Sequence, residues 1–166
     1  MPKYNNFYIV PGVAIASSIN QNNYYKWSPQ YATDGLISNG DEDFFHSNNE
    51  SNPWLQYHLP KKMVVTSVVI ANRKSCCGNR LNHVEVRAGM EGLEHGFRDN
   101  ITINEICGTF EGPGEDGVEY TINCSLPIMA NYITVQILDT YSILQINELR
   151  VITDPKVLKG INVLRQ

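Results

Sequence analysis

A chain of 166 residues, 42% apolar and 18% charged, is long enough for one domain with a proper core and shows no disorder bias. The formal charge of -4, with no basic cluster beyond Lys61-Lys62, argues against a nucleic-acid partner. No apolar run reaches the roughly 18 residues that span a bilayer, and the opening MPKYNNFYIV lacks a signal-peptide core, so a mature domain cut from a longer precursor is expected.

In chain order the strand signals are FYIVPGVAIASS, WLQYHL, MVVTSVVIAN, HVEVRAG, EYTIN, YITVQIL and LRVIT, separated by turn clusters such as SNGDED, SNNESNP and GPGEDG. VEVRA and ITVQI alternate, which predicts strands with one wet face. VVTSVVIA is apolar on both faces and is predicted to be central. No stretch keeps helical periodicity beyond about two turns. The pattern predicts an all-β, antiparallel sandwich or barrel. A single domain is expected over residues 1–154, with residues 155–166 as a C-terminal tail or edge strand.

Cys76, Cys77, Cys107 and Cys124 lack the paired C-x-x-C spacing of a zinc site, and only His83 lies near enough in sequence to add a ligand. Bridging Cys107 to Cys124 closes a Gly-rich, acidic loop, GTFEGPGEDGVEYTIN, which reads as a hairpin stapled at its base and stabilised by about 3 kcal/mol. The remaining adjacent pair would then be bonded to each other; two free or separately paired thiols are the alternative. A bridge between neighbours imposes an unusual peptide geometry, and such geometry persists where function uses it. Three sequons, Asn49-Glu50-Ser51, Asn100-Ile101-Thr102 and Asn123-Cys124-Ser125, agree with a secreted protein.

No G-x-S-x-G, H-E-x-x-H or phosphate-cradling glycine loop is present, so no catalytic apparatus is visible. What remains is a set of hydrogen-bonding groups. Arg73 and Arg80 supply fixed forks of donors, His46 in FFHSNNE supplies a donor or acceptor, and Cys76-Cys77 supplies an apolar plate between the arginines. Such a set suits a sugar, which offers hydroxyl acceptors on one edge and C–H groups on one face. Phe44 and Phe45 could add apolar wall.

The stretch resembles the F-type lectin (fucolectin) family, whose motif is His, 26 residues, then R-x-D-x(4)-R/K around an adjacent cysteine pair. Here His46 is followed by 26 residues and Arg73, with Arg80 at the family interval. The likeness extends over YATDGL, the PWLQYHL strand with Trp54, VTSVVIANR, RLNHVEVRAG, the Cys107–Cys124 spacing and INELRV. It implies an eight-stranded, jelly-roll-like (discoidin-like) β-sandwich that binds L-fucose in a shallow pocket, with Arg73, Arg80 and His46 gripping oxygens and the Cys76–Cys77 bridge packing on the sugar face. Fucosylated glycans or free L-fucose are the partners it implies, met as a homo-oligomer or within a multidomain chain, in a secreted or extracellular setting. It also implies a structural calcium ion, with Asp34 and Glu148 as acidic ligands and oxygens of Tyr31, Leu36 and Asn147 completing the set.

Ser75 stands where the motif has Asp, removing a carboxylate that could orient the arginines. FFHS also fits an aromatic-aromatic-His segment that precedes the binding histidine in the family, and in that alignment the binding histidine is missing. The alignment placing His46 in the site keeps the spacing to both Trp54 and Arg73. A glycan on Asn49 would lie in the same loop. Two other classes stay open: a discoidin-like module that binds protein or lipid through its loops, and a carbohydrate-active enzyme. The enzyme is disfavoured because no carboxylate pair can be assigned to flank a scissile bond.

Overall fold

A computed structural model describes residues 13–153 other than residue 139. The strands are β1 (Val13–Ala16), β2 (Phe45–His46), β3 (Glu50–Ser51), β4 (Trp54–Ala71), β5 (Val84–Gly89), β6 (Glu105–Phe110), β7 (Glu119–Ile137), β8 (Tyr141–Ser142), β9 (Gln145–Ile146) and β10 (Glu148–Ile152). Helical structure among the described residues is limited to a single turn, α1 (Tyr24–Trp27), and three 3-10 turns. The first part of FYIVPGVAIASS and the tail from residue 154 lie outside the described residues.

Two long strands organise the sandwich. WLQYHL and MVVTSVVIAN, read as separate strands, form the one strand β4; EYTIN and YITVQIL likewise form β7. Trp54–His58 pair antiparallel with Gln136–Tyr132, and Met63–Ala71 pair with Ala130–Glu119, with register breaks between His58 and Met63 and between Val65 and Ser67. Pro60 falls in the first break and Pro127 faces the second, where a residue without an N–H removes no ladder bond. Each strand therefore bends from one layer into the other. The first half of β4 and the second half of β7 sit with β1, β5 and β6, in the order β1-β4-β7-β5-β6; the second half of β4 and the first half of β7 sit with β10. With β4 and β7 counted in both layers, the six strands of this sheet make eight segments. Between the layers pack Leu55, Val68, Ile70, Val86, Val135 and Leu149, all buried, and VVTSVVIA is central as its two-faced apolarity predicts.

Two expectations change. ITVQI is buried on both faces, because the segment 91–101 folds over its outer side: Gln136 Oε1 accepts from Ile101 N (2.9 Å), Gln56 Oε1 from Leu93 N (2.8 Å), and Gln56 Nε2 donates to Thr134 Oγ1 (3.0 Å). The alternation is real, but its polar positions are satisfied by the protein's own groups, backbone for Gln136 and the Gln56 side chain for Thr134, rather than by water. VEVRA does alternate, with Val84, Val86 and Ala88 inside and Glu85 and Arg87 half-buried and paired to each other. The segment between Cys107 and Cys124 is not a hairpin. EICGTF is itself a strand, β6, and it pairs with β5, whereas Glu119–Ala130 pair with β4. The Cys107–Cys124 bridge thus ties strands of opposite layers. Gly108 permits the approach, since a Cβ there would stand 2.7 Å from Asn123 O.

At one end of the sandwich two short ribbons, β2–β9 and β3–β8, complete the fold, with His46 opposite Gln145 in the first and Glu50 opposite Ser142 in the second. This end carries the candidate site.

Candidate functional site

The turn beyond β4 is held by its own asparagine. Asn72 Nδ2 donates to Gly78 O (2.8 Å) and Glu115 O (3.0 Å), while its Oδ1 accepts from Arg73 N (3.0 Å). The GPGEDG loop closes over the other side: Gly117 N donates to Arg73 O (2.8 Å) and Gly78 N to Asp116 Oδ1 (2.6 Å). A Cβ on Gly78 would stand 2.4 Å from Asp116 N, so only glycine lets the two loops meet. Within this clamp Cys76 and Cys77 are bonded to each other, and Cys77 takes a left-handed backbone conformation (φ 64°) that leads into the Gly78–Arg80 turn. Both cysteines are half-buried. Arg73 and Arg80 therefore leave opposite ends of one braced turn.

Their guanidinium groups converge on Gln145, which the sequence reading did not single out. In the amide orientation that satisfies the surrounding donors, Gln145 Oε1 accepts from Arg73 Nη1 (2.8 Å) and Arg80 Nη1 (3.1 Å) and lies 2.9 Å from His46 Nε2. Gln145 is buried, and its place is set by the β2–β9 register that puts it across from His46. His46 Nδ1 lies 2.7 Å from Ser47 O. Both ring nitrogens thus face acceptors, and a neutral imidazole has one proton to share between them. The rings of Trp27 and Phe44 flank His46, with centroids 5.5 and 6.1 Å away, and Arg73 lies over the Phe44 face at 4.9 Å. Arg73 is only 8% exposed. Its Nε donates to Ser75 Oγ (2.8 Å) and its Nη2 to Asp41 Oδ1 (2.7 Å). One hydrogen on each Nη is left for a ligand.

The structure thus brings His46, Arg73 and Arg80 together around one oxygen, with the Cys76–Cys77 bridge in the turn between the arginines. Phe44 backs them directly, against Arg73 and His46, while Phe45 belongs to the core; both rings are fully buried, so neither forms an exposed wall. A cluster with several cationic N–H groups aimed at one point, beside apolar rings and a sulfur bridge, is suited to a neutral ligand rich in hydroxyl acceptors.

Burial of His46, followed by the positive charges of Arg73 and Arg80, holds its imidazole below the ordinary value of 6.5 despite the opposing pull of the Ser47 carbonyl. Between that lowered value and 6.5 the unfolded chain binds more protons than the folded one, so stability is complete above 6.5 and is lost as pH falls through the folded value. Glu148, whose carboxyl is pushed up, acts in the opposite sense over the same range, so the expected result is a difference: from about pH 7 to about pH 5 the parent should lose melting temperature relative to His46→Asn. Equal slopes in parent and variant would contradict the assignment.

The second expected site gathers only in part. Asp34, Tyr31 and Leu36 line an open cleft together with Ile37, Ser38 and Asp43, the last of which the sequence reading missed. Leu36 N donates to Asp34 Oδ1 (2.8 Å), and Gly35 N to Glu148 Oε2 (3.2 Å), which draws the two carboxylates together from opposite ends of the chain. Glu148 is buried at the start of β10, and its Oε1 has no hydrogen-bond partner. Burial, and then the charge of Asp34, push its carboxyl up to about 8. The Asn147 amide is otherwise engaged, closing a pair of bonds with Ser38 N and O (2.8 Å each), so only its main-chain oxygen is free of that clamp. Among the described residues no group of three or more His, Cys, Asp or Glu could hold an ion by side chains alone. A hard cation taking two carboxylates and several backbone oxygens does fit this donor set, because it would give the orphaned Glu148 oxygen a partner.

Fold and sequence pattern define the class: the F5/8 type C domain profile matches residues 14–149. Among curated relatives, Fucolectin-1 of Anguilla japonica is 33% identical over 128 residues, covering 74% of this chain and 66% of the relative. Fucolectin of Anguilla anguilla is 30% identical over 128 residues, covering 74% of this chain and 77% of the relative. Among solved structures, a fucolectin from the serum of striped bass, Morone saxatilis, superposes with a TM-score of 0.75 at 26% identity, covering 89% of this chain and 49% of that one. The chain belongs to the fucolectins within the F5/8 type C domain family. It spans about two thirds of the first of these relatives and about half of the bass lectin chain.

Proposed function

We propose that this domain is a lectin that binds L-fucose, or glycans ending in it, and does no chemistry on them. The single observation that carries the reading is the convergence of Arg73, Arg80 and His46 on one acceptor position beside the Cys76–Cys77 bridge. The names of the eel and bass relatives supply the sugar. In this reading the free Nη hydrogens of Arg73 and Arg80 bind hydroxyl and ring oxygens, His46 braces the cluster through Gln145 and takes a hydroxyl only where the sugar displaces that amide, and the sugar's C–H face rests on the disulfide. Each charge-assisted bond replaces one to water and nets only about 1.5–3 kcal/mol, and immobilising the sugar offsets much of the sum, so affinity per site is weak, roughly 10 µM to 1 mM. Useful avidity would come from several such domains, in a homo-oligomer or a multidomain chain. Secretion accords with two disulfides and exposed asparagines in all three sequons. A glycan array tests the sugar: the expected result is binding confined to fucosylated glycans. Binding to protein or lipid surfaces with no fucosylated hit would move the chain to a discoidin-like interaction module.

We further propose a structural calcium ion held by Asp34 and Glu148 with backbone oxygens of Tyr31, Leu36 and Asn147. When bound, the ion would neutralise two close carboxylates and stiffen residues 34–43. An ion at a hundred times its Kd adds about 2.7 kcal/mol to a state that alone binds it. Chelator should therefore lower the melting temperature by several degrees, calcium should restore it, and Glu148→Gln should be insensitive to both. A melting curve unchanged by chelator and by calcium would remove the site.

A further inference from the structure

We propose that Asp41 is the positioning carboxylate of the sugar site, doing from across space what the motif assigns to the position held here by Ser75; this rests on the lectin reading above. Arg73 Nε is taken by the neutral Ser75 hydroxyl, and the negative charge arrives instead from Asp41, 32 positions earlier in the chain, on Nη2. The three atoms form a small circuit: Asp41 also hydrogen-bonds Ser75, and that contact, ahead of Arg73 itself, holds the Asp41 carboxyl below its ordinary range. Its loop is built to deliver it. Trp27 Nε1 donates to Asp41 O (3.0 Å), Asp43 N donates to Lys26 O (2.8 Å), Lys26 Nζ pairs with Glu42 (3.1 Å), and Ser38 Oγ reaches Glu42 O. The Trp27 that anchors Asp41 is the same ring that flanks His46, so one loop orients both sides of the pocket.

The pair is asymmetric. The Arg73 side chain is 10% exposed and that of Asp41 is 77% exposed. A carboxylate so exposed adds little to folding stability, yet it fixes the rotation of a buried fork whose remaining hydrogens must meet the ligand. With the charge of Asp41 gone, the fork rests only on neutral acceptors, Ser75 at Nε and Gln145 at Nη1, and Nη2 loses the charged partner that holds it against thermal rotation.

The test compares the parent with Asp41→Asn and with Asp41→Asn/Ser75→Asp, which returns a carboxylate at the motif position. L-fucose titration should show Asp41→Asn weaker by about tenfold, the equivalent of one charge-assisted hydrogen bond, and the double variant close to the parent, at unchanged melting temperatures. Equal affinity in the parent and Asp41→Asn, or a loss that Ser75→Asp does not repair, would overturn the inference. Proton exchange of the Arg73 Nε–H, followed by 15N NMR without any sugar, gives a readout independent of ligand identity. Exchange should quicken in Asp41→Asn and slow again in the double variant, and an unchanged rate would overturn the inference. A parent that binds no fucose while these exchange rates behave as stated refutes the lectin reading and leaves the positioning role standing.

Discussion

Arg73→Ala and Arg80→Ala are each expected to abolish measurable fucose binding in a domain that still folds. Each removes charge-assisted donors, and two such bonds at about 1.5–3 kcal/mol each correspond to a loss of roughly a hundredfold or more. From an affinity that is already weak, such a loss passes below detection. Folding survives because little is left stranded. When Arg73 is truncated, Asp41 and Ser75 are exposed and regain water, and Gln145 Oε1 keeps Arg80 as a donor. Lysine at position 73 would keep the charge but lose the planar fork that serves Ser75, Asp41 and Gln145 at once, so Arg73→Lys should fail nearly as badly. Calorimetry checks binding and thermal melting checks the fold. A folded Ala variant with parental affinity would refute the role assigned at that position.

The two disulfides should separate stability from recognition. Removing Cys107–Cys124 frees the chain between positions 17 apart, worth about 3 kcal/mol of loop entropy, a large share of a typical domain's 5–15 kcal/mol. It also opens a packed link between layers, since Cys107 is fully buried against Ile122 and Gly108 lies tight on Asn123. The pocket lies on other elements, so a variant with both cysteines changed to Ala should melt well below the parent yet bind fucose when folded. Replacing Cys76 and Cys77 by Ser should do the reverse. A bridge between neighbours constrains almost no unfolded-chain entropy, and the turn retains its Asn72, Gly117 and Asp116 bonds. Affinity should fall with little change in melting. If both double variants lost stability equally and affinity equally, the division of labour would be wrong.

How much of this was legible in the chain depends on whether a residue's partner is near in sequence or only in space. His46, Arg73, Arg80 and the adjacent cysteines form a fixed-interval pattern, and the structure gathers them. Both disulfide pairings were readable from spacing, although the staple was assigned to a hairpin when it joins two layers. That error came from reading EICGTF as loop: its partner is β5, and a Gly in its middle hides a strand. Gln145 carries no signal of its own in LQIN; only the register against His46 gives it meaning. Asp41 and Asp43 sit in SNGDED, which reads as a solvated acidic turn, and their roles depend on a guanidinium and a cleft formed by distant residues. The wet face expected of ITVQI failed for the same reason, because its cover comes from the irregular segment 91–101, which has no periodicity to read.

The central claim is that the Gln145-centred cluster is a fucose site, and titration of the calcium-loaded domain with L-fucose, followed by 15N NMR, tests it most directly. The account predicts saturable binding with a Kd in the range of roughly 10 µM to 1 mM, with the Arg73, Arg80 and His46 side-chain signals moving together along the same isotherm while D-mannose moves none of them. No shift at saturating L-fucose, or a saturable shift confined to residues away from this cluster, would contradict it.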